Sequence, residues 1–462
     1  MAALTGRSAA VPAFALIALL TLSGIFGHEL WTPDEPRDAE IARETGFRAL
    51  PTLNGEPHVE KPPLYFWTVH ASYQLFGVHA WSARVPSVLF GWGTLIFTWL
   101  LARRMFGRDA AWRACLMLAT TPVFLLVTHK CIVDNALVFM ATGCFYWLYQ
   151  AQASERKLLC YAIAYVFAAG AVLAKGIVGA GLAGAVFLVF LLWMRRPGEI
   201  LRAHPWLAVA LVAAAAGAWI LSLPPEGRDM FLVQNQWGRL TGQGRSDHLQ
   251  PFWYYGPAYL YALAPWGLAV FAAIPWLGRR DEDLPAKRYL VVWIVLGVFL
   301  LSLAATKRAL YLLPLAPAVA ILVAGWIERA PERLRVVADR AGLAFLAVLV
   351  AGAIIAEPAL DRRKNLAPFV KALPQELSSV PAFQPDETTL AVIPFYSGRQ
   401  VVPIESLDAA QRAAETKPAW LVVVLKGNEV AVPDSLRAWY PFVWLEHGEP
   451  GRRMILISNS GR

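Results

Sequence analysis

About eleven runs of mostly apolar residues recur along this 462-residue chain, near 10–27, 83–102, 110–128, 132–150, 158–174, 176–194, 205–222, 254–277, 289–305, 309–326 and 341–356. A bilayer crossing needs about 20 such residues. A sequence patterned this way folds as an α-helical polytopic membrane protein. Composition agrees: 57% of residues are hydrophobic and only 16% are charged, where a water-soluble domain usually carries roughly 25% charged residues.

The loops set the expected topology. Basic residues mark the cytoplasmic side, and they fall in alternate loops: Arg103, Arg104 and Arg108; Arg156 and Lys157; Arg195, Arg196 and Arg202; Arg279, Arg280, Lys287 and Arg288; Arg329, Arg333, Arg335 and Arg340. The intervening turns hold only Lys130, Lys175, Lys307 and Arg308. This alternation puts the N-terminus inside and predicts a cytoplasmic Arg7. It also accounts for the net charge of +9 without nucleic acid, the usual alternative for a basic chain. The 19 Trp and 14 Tyr suit aromatic belts at the two interfaces. The first span lacks a clear small-residue cleavage site before His28 and is expected to be retained.

Two loops on the outer side are long, 28–82 and 223–253. In the first, 34–50 reads as an interfacial helix with Thr32 or Asp34 as its cap and Pro36 in its first turn. Residues 64–76 read as a second, aromatic helix after Pro62-Pro63. From about 358 charge and proline increase, and 358–462 reads as a small soluble α/β domain on the outer side. Its expected strands are 389–395, 420–425 and 453–457, with a helix over 408–416. Residues 1–357 form the transmembrane domain. The four cysteines (Cys115, Cys131, Cys144, Cys160) lie in or beside apolar spans without metal-type spacing, so each is expected to act as a small buried hydrophobe.

Chemistry concentrates at span ends on the outer side. Trp31-Thr-Pro-Asp34-Glu35-Pro-Arg37-Asp38-Ala-Glu40 carries four carboxylates in seven residues. Charge at a membrane edge is costly unless it is solvated, paired or used. Asp34 or Glu35 could act as a general base, with the other paired, for instance to Arg37; the plain alternative is a helix cap. His58-Val-Glu60-Lys61-Pro-Pro presents a carboxylate and an ammonium on a stiff stem. Lys61 either snorkels to the interface or binds a phosphate, with Glu60 orienting it or holding a cation. Asp134 starts a span and is either its N-cap or a third working acid. Arg239 and Arg245 lie in the second long loop, followed by His248. Lys307 and Arg308, with Tyr311 and Pro314, are cations on the side that should lack them, which favours an anionic ligand such as a lipid phosphate. Lys175 is a lesser case of the same kind. Carboxylates beside several cations at headgroup level are what sugar transfer from a polyisoprenyl phosphate requires: a base at the acceptor, and cations on the departing phosphate.

Pro33-Asp34-Glu35-Pro36-Arg37-Asp38-Ala39-Glu40, Glu60-Lys61-Pro62-Pro63-Leu64-Tyr65-Phe66-Trp67, Asp134-Asn135-Ala136-Leu137, Gln250-Pro251-Phe252-Trp253-Tyr254-Tyr255 and Lys307-Arg308 through Tyr311-Leu-Leu-Pro314, in this order, make the first 320 or so residues resemble the GT-C membrane glycosyltransferases. The resemblance is to the branch holding the lipid A aminoarabinose transferases and relatives of the dolichyl-phosphate-mannose-protein mannosyltransferases. It implies a GT-C-like fold in a bacterial inner membrane, an undecaprenyl phosphate-linked sugar donor and inverting transfer at the periplasmic face. The acceptor would be lipid A, or else another envelope glycan or a protein hydroxyl. By the match, Asp34, Glu35 and Asp134 are the catalytic acids, and Lys61, Arg245, Lys307, Arg308 and Tyr311 bind the donor phosphate. A divalent metal would be held by Glu60 and His248. A transporter or flippase, the reading from another class, would show pseudo-symmetric halves and broken spans; the sequence has no internal repeat.

Overall fold

The computed structural model describes residues 7–243, 248–415, 419–427, 429, 431–449 and 452–461. Among these, six helices are long and apolar enough to cross a membrane: Ala80–Phe106, Lys157–Lys175, Pro205–Ser222, Leu284–Leu303, Ala309–Glu328 and Glu332–Lys364. A seventh crossing is made if Arg108–Ala119 and Pro122–Thr128, bent by 71° at their junction, count as one. The protein is thus a helical, multi-pass membrane protein with a C-terminal mixed β-sheet domain.

The four remaining apolar runs are also helical. Residues 10–27 correspond to Arg7–Phe26. Asp134–Gln150 has 17 residues and Val178–Trp193 has 16. At 1.5 Å per residue these two reach about 25 Å, short of a hydrocarbon core of about 30 Å. The run 254–277 is broken into Tyr255–Ala262, Trp266–Ala272 and Ile274–Leu277. Pro265 and Pro275 lie at or beside the breaks, as expected of residues that lack the amide donor a helix needs.

The chain forms two compact units. One comprises the chain up to Ser23, Val59–Tyr65 and Pro86–Ala353; the other comprises Gly24–His58, Phe66–Val85 and the chain from Ile354 onward. In the first unit Ala309–Glu328 is mostly buried among other helices, whereas Pro205–Ser222 is mostly exposed. An exposed face that is apolar all round suits lipid. The four cysteines are buried and unbridged, as expected of small apolar fillers.

In the second unit, the five-stranded sheet runs Val401–Ile404, Val380–Phe383, Trp420–Lys426, Arg452–Ser458, Phe442–Glu449. The first three strands are parallel and the last two pair antiparallel. The strands expected at 420–425 and 453–457 are present, as is the helix near 408–416, here Leu407–Ala414. The expected strand 389–395 is instead part of the helix Glu387–Ser397. Its apolar run has β-prone residues, but Asp386 caps it by accepting the Thr389 amide at 2.9 Å, and Gly398 ends it at φ +72°. Local capping decided what residue preference did not. The helix expected at 34–50 stops at Thr45, where Gly46 turns to φ +64°, and its N-cap is Pro33, with no side-chain cap from Thr32 or Asp34. Leu64–Phe76 is helical over the whole expected range.

Candidate active site

In the second unit the acidic run becomes the helix Asp34–Thr45, and each of its four clustered carboxylates meets an arginine. Arg37 is the hub. Its guanidinium reaches Asp34 at 3.0 Å, Asp38 at 3.3 Å and Glu387 at 3.0 Å. Arg43 grips Glu40 through two bonds of 2.6 Å. Glu35 is taken by Arg84, which lies 49 residues away in sequence: Nε to Oε1 at 2.8 Å and Nη2 to Oε2 at 3.1 Å, both side chains fully buried. Arg84 also donates to the carbonyls of His28 and Glu29 at 2.8 and 2.7 Å, and Glu35 accepts the Trp31 amide at 2.9 Å.

The two adjacent acids therefore part company. Burial by itself would raise the Glu35 carboxyl, but the Arg84 guanidinium overrides it and holds the group below the usual range. Glu35 was expected to be catalytic; an ionised carboxylate with both oxygens committed inside the protein ties chain segments together instead. Asp34 is partly exposed and keeps its candidacy.

His28 belongs to the same knot. Its ring stacks on Trp31, and its Nδ1 lies 3.0 Å from Arg84 Nη2. Burial of the ring, reinforced by the nearby guanidinium, lowers its pKa to about 4 from 6.5. A depressed folded pKa contributes stability that is complete above 6.5 and is lost as pH falls toward 4. At about 1.36 kcal/mol per pH unit the loss is about 3 kcal/mol. The melting temperature of the intact protein in nanodiscs should therefore fall between pH 6.5 and 4, with a shallower fall in His28→Gln. An equal slope in the variant would remove His28 from this account.

In the first unit a cavity of about 150 Å³ is lined by Glu60, Lys61, Asp134, Lys175, Arg239, Tyr255, Thr306 and Tyr311 together with Leu137, Val178, Leu240 and Leu301. Three cations, two acids and an apolar wall thus share one space. Asp134 is the first residue of Asp134–Gln150, preceded by Val133, and makes no side-chain cap. Its carboxylate pairs with Lys175 at the C-terminal end of Lys157–Lys175, so the N-cap alternative does not hold. The Lys175 ammonium also sits over the Tyr311 ring, 4.7 Å from its centre. Arg239 meets Glu60 at 3.2 Å. Asn235 donates to the Val59 carbonyl at 3.3 Å, which helps hold the Glu60-Lys61 stem.

The structure gathers Lys61, Tyr311, Asp134 and Glu60 around one cavity and adds Lys175 and Arg239. Sequence had ranked Lys175 low and given Arg239 no role, because neither sits in a dense motif. Lys307 differs from expectation. It is 3% exposed, does not line the cavity, and donates to the Gln250 carbonyl at 2.9 Å. Burial lowers its pKa. This side chain fastens two loop segments. Arg308 is likewise absent from the described lining, and Arg245 lies outside the described residues.

Of the two expected metal ligands, His248 belongs to no group of three or more metal-ligating side chains among the described residues. A His/Glu group that could hold a metal ion does occur, with His58 and Glu387 offering ligand atoms within 4.8 Å of one another. The fit is poor. Glu387 already accepts from Arg37, so a cation there would compete with a guanidinium.

Residues 60–221 match the family described as dolichyl-phosphate-mannose-protein mannosyltransferase. An undecaprenyl phosphate-alpha-4-amino-4-deoxy-L-arabinose arabinosyl transferase from Shewanella sediminis is 31% identical over 343 residues, covering 70% of this chain and 60% of the relative. The enzyme of the same name from Edwardsiella ictaluri is 30% identical, over 68% of this chain and 58% of its own length. The chain thus spans about 60% of the length of these curated relatives. ArnT from Cupriavidus metallidurans, in a crystal structure with undecaprenyl phosphate, superposes with a TM-score of 0.79 at 20% identity, covering 98% of each chain. The chain is ArnT-like in sequence and carries the ArnT fold.

Proposed function

We propose that this protein transfers a sugar from an undecaprenyl phosphate-linked donor to lipid A, with inversion, at the periplasmic face of a bacterial inner membrane. The observation that carries this reading is the cavity of the first unit. Lys61, Lys175 and Arg239 supply positive charge where a phosphate would sit, and Leu137, Val178, Leu240 and Leu301 supply apolar surface for the start of an isoprenoid. In the reaction the bond from the anomeric carbon to the donor phosphate breaks as the acceptor oxygen attacks from the opposite side. The cations stabilise the charge gathering on the phosphate. Tyr311 orients the Lys175 ammonium. Asp134 is the working acid of this cavity. An ionised lipid A phosphate needs little help from a base, so with that acceptor its task is to position reactants; a hydroxyl acceptor would need it as base.

The topology in this proposal has eleven crossings. The seven already described are joined by Arg7–Phe26, Asp134–Gln150, Val178–Trp193 and the broken helix at 255–277. The N-terminus is cytoplasmic and residues 358–462 are periplasmic.

Mass spectrometry of lipid A from cells with and without the gene tests the acceptor. A gene-dependent sugar on a lipid A phosphate is expected. In cells carrying Lys61→Ala that product should drop by more than about tenfold, since a charge-assisted contact to phosphate is worth roughly 1.5–3 kcal/mol. Undiminished product in this variant would exclude Lys61 from donor binding. The match of 60–221 to a protein mannosyltransferase family favours a second reading, transfer to a protein hydroxyl. Unchanged lipid A together with a lost glycoprotein would decide for it.

A further inference from the structure

Several buried threonines in or at the ends of helices satisfy their hydroxyls locally, by donating to the carbonyl four residues back. Thr98 does so to Thr94 at 2.7 Å, Thr120 to Leu116 at 2.8 Å, Thr128 to Phe124 at 2.8 Å and Thr142 to Val138 at 2.7 Å. Thr306 does not. It is 4% exposed, it lines the charged cavity, and its Oγ1 has no hydrogen-bond partner among the described residues.

The reason is local. The helix Leu284–Leu303 has ended, and at Ala304 the backbone is extended, with φ −69° and ψ 141°, so no helical carbonyl is presented to the side chain. The backbone here is also clamped. Ala305 N donates to Leu240 O at 3.0 Å, Thr306 N to Arg239 O at 3.1 Å and Lys307 N to His248 O at 2.9 Å. The Lys307 ammonium adds its bond to Gln250. Thr306 therefore cannot shift easily to find a partner within the protein. A buried hydroxyl left without one costs about 1–3 kcal/mol. Such a group, fixed at the wall of a cavity, is completed when a ligand brings the acceptor. The same wall carries Lys61, Lys175 and Arg239, so the acceptor that fits is an anionic oxygen.

We propose that Thr306 Oγ1 donates a hydrogen bond to a non-bridging oxygen of the isoprenoid phosphate in this cavity and so contributes directly to donor recognition. This rests on the donor reading given above.

The test uses the full-length protein in nanodiscs, with undecaprenyl phosphate alone as the probe. Thr306→Val, similar in shape but without the hydroxyl, should bind roughly five- to tenfold more weakly, and Thr306→Ser should stay within about twofold of the wild type. The ligand-free melting temperature of Thr306→Val should be equal to or above that of the wild type, because the replacement removes an unmade bond. Undiminished affinity in Thr306→Val, beside a wild type that binds, would overturn the role of the hydroxyl and leave the donor reading intact. A lower ligand-free melting temperature would show that the hydroxyl has a partner inside the protein and would also overturn the proposal. Failure of the wild type to bind the lipid phosphate would overturn the donor reading and this inference together.

Discussion

Arg84→Ala is expected to destabilise the second unit by about 3–5 kcal/mol, the usual consequence of removing one partner from a buried ion pair. Glu35 would be left fully buried and without its guanidinium, at a cost whether it stays charged or takes up a proton, and the carbonyls of His28 and Glu29 would lose a donor. Limited proteolysis of the intact protein in nanodiscs should show early cleavage within 24–58. The double variant Arg84→Met/Glu35→Leu separates charge from shape. It should recover much of the loss, because apolar residues of similar volume can replace a buried pair at little cost. If Arg84→Ala resisted proteolysis like the wild type, the knot would not hold this unit together.

The second large effect is on turnover. Asp134→Asn should lower sugar transfer by about a hundredfold or more while the protein still inserts and folds, within the range of roughly 10²–10⁴ typical for loss of a positioned acid or base. Lys175→Gln should act differently. It removes an ammonium from the phosphate wall and should raise the donor KM more than it lowers kcat. The two residues form one ion pair at the cavity, so their effects should not add; the double variant should be little worse than Asp134→Asn alone. Strict additivity would mean that they work separately. Near-normal turnover in Asp134→Asn would remove Asp134 from the reaction.

These residues show which parts of the molecule could be read from sequence. The apolar runs were legible because burial against lipid imposes a length and composition that single residues cannot disguise. Leu64–Phe76 was legible because Pro62-Pro63 marks its start and aromatic residues fill it. Asp134, Lys61, Glu60 and Tyr311 were legible as charged or polar groups at span ends, where such groups need a reason. Arg84 was not. It lies inside an otherwise apolar stretch, and its partners are 49 and 56 residues back, a pairing with no local signal. The Lys175–Asp134 pair spans 41 residues and was hidden in the same way, although a lone lysine in an Ala-Lys-Gly turn was a usable hint. The helix Glu387–Ser397 was read as a strand because its residues favour one, and its outcome rests on a cap from Asp386. The break-up of 254–277 was foreseeable from Pro265 and Pro275, which an apolar window averages away.

The second unit is assembled from three separated stretches of chain, and this has a consequence for biogenesis. Leu30 N donates to the Tyr396 hydroxyl at 2.9 Å, Trp31 Nε1 to Asp361 at 3.0 Å, and Asn54 exchanges two 2.9 Å bonds with the backbone of Val401. Residues 24–58 leave the ribosome early, yet the groups that satisfy them are made 330 to 366 residues later. At roughly 5–20 residues per second of synthesis that is a delay of tens of seconds. Throughout it the acidic segment must wait, inserted beside the membrane but unfinished. The last hundred residues then act as a proofreading step on translation: a chain that stops early cannot close this unit, and it presents an open, protease-sensitive loop to quality control instead of a finished protein.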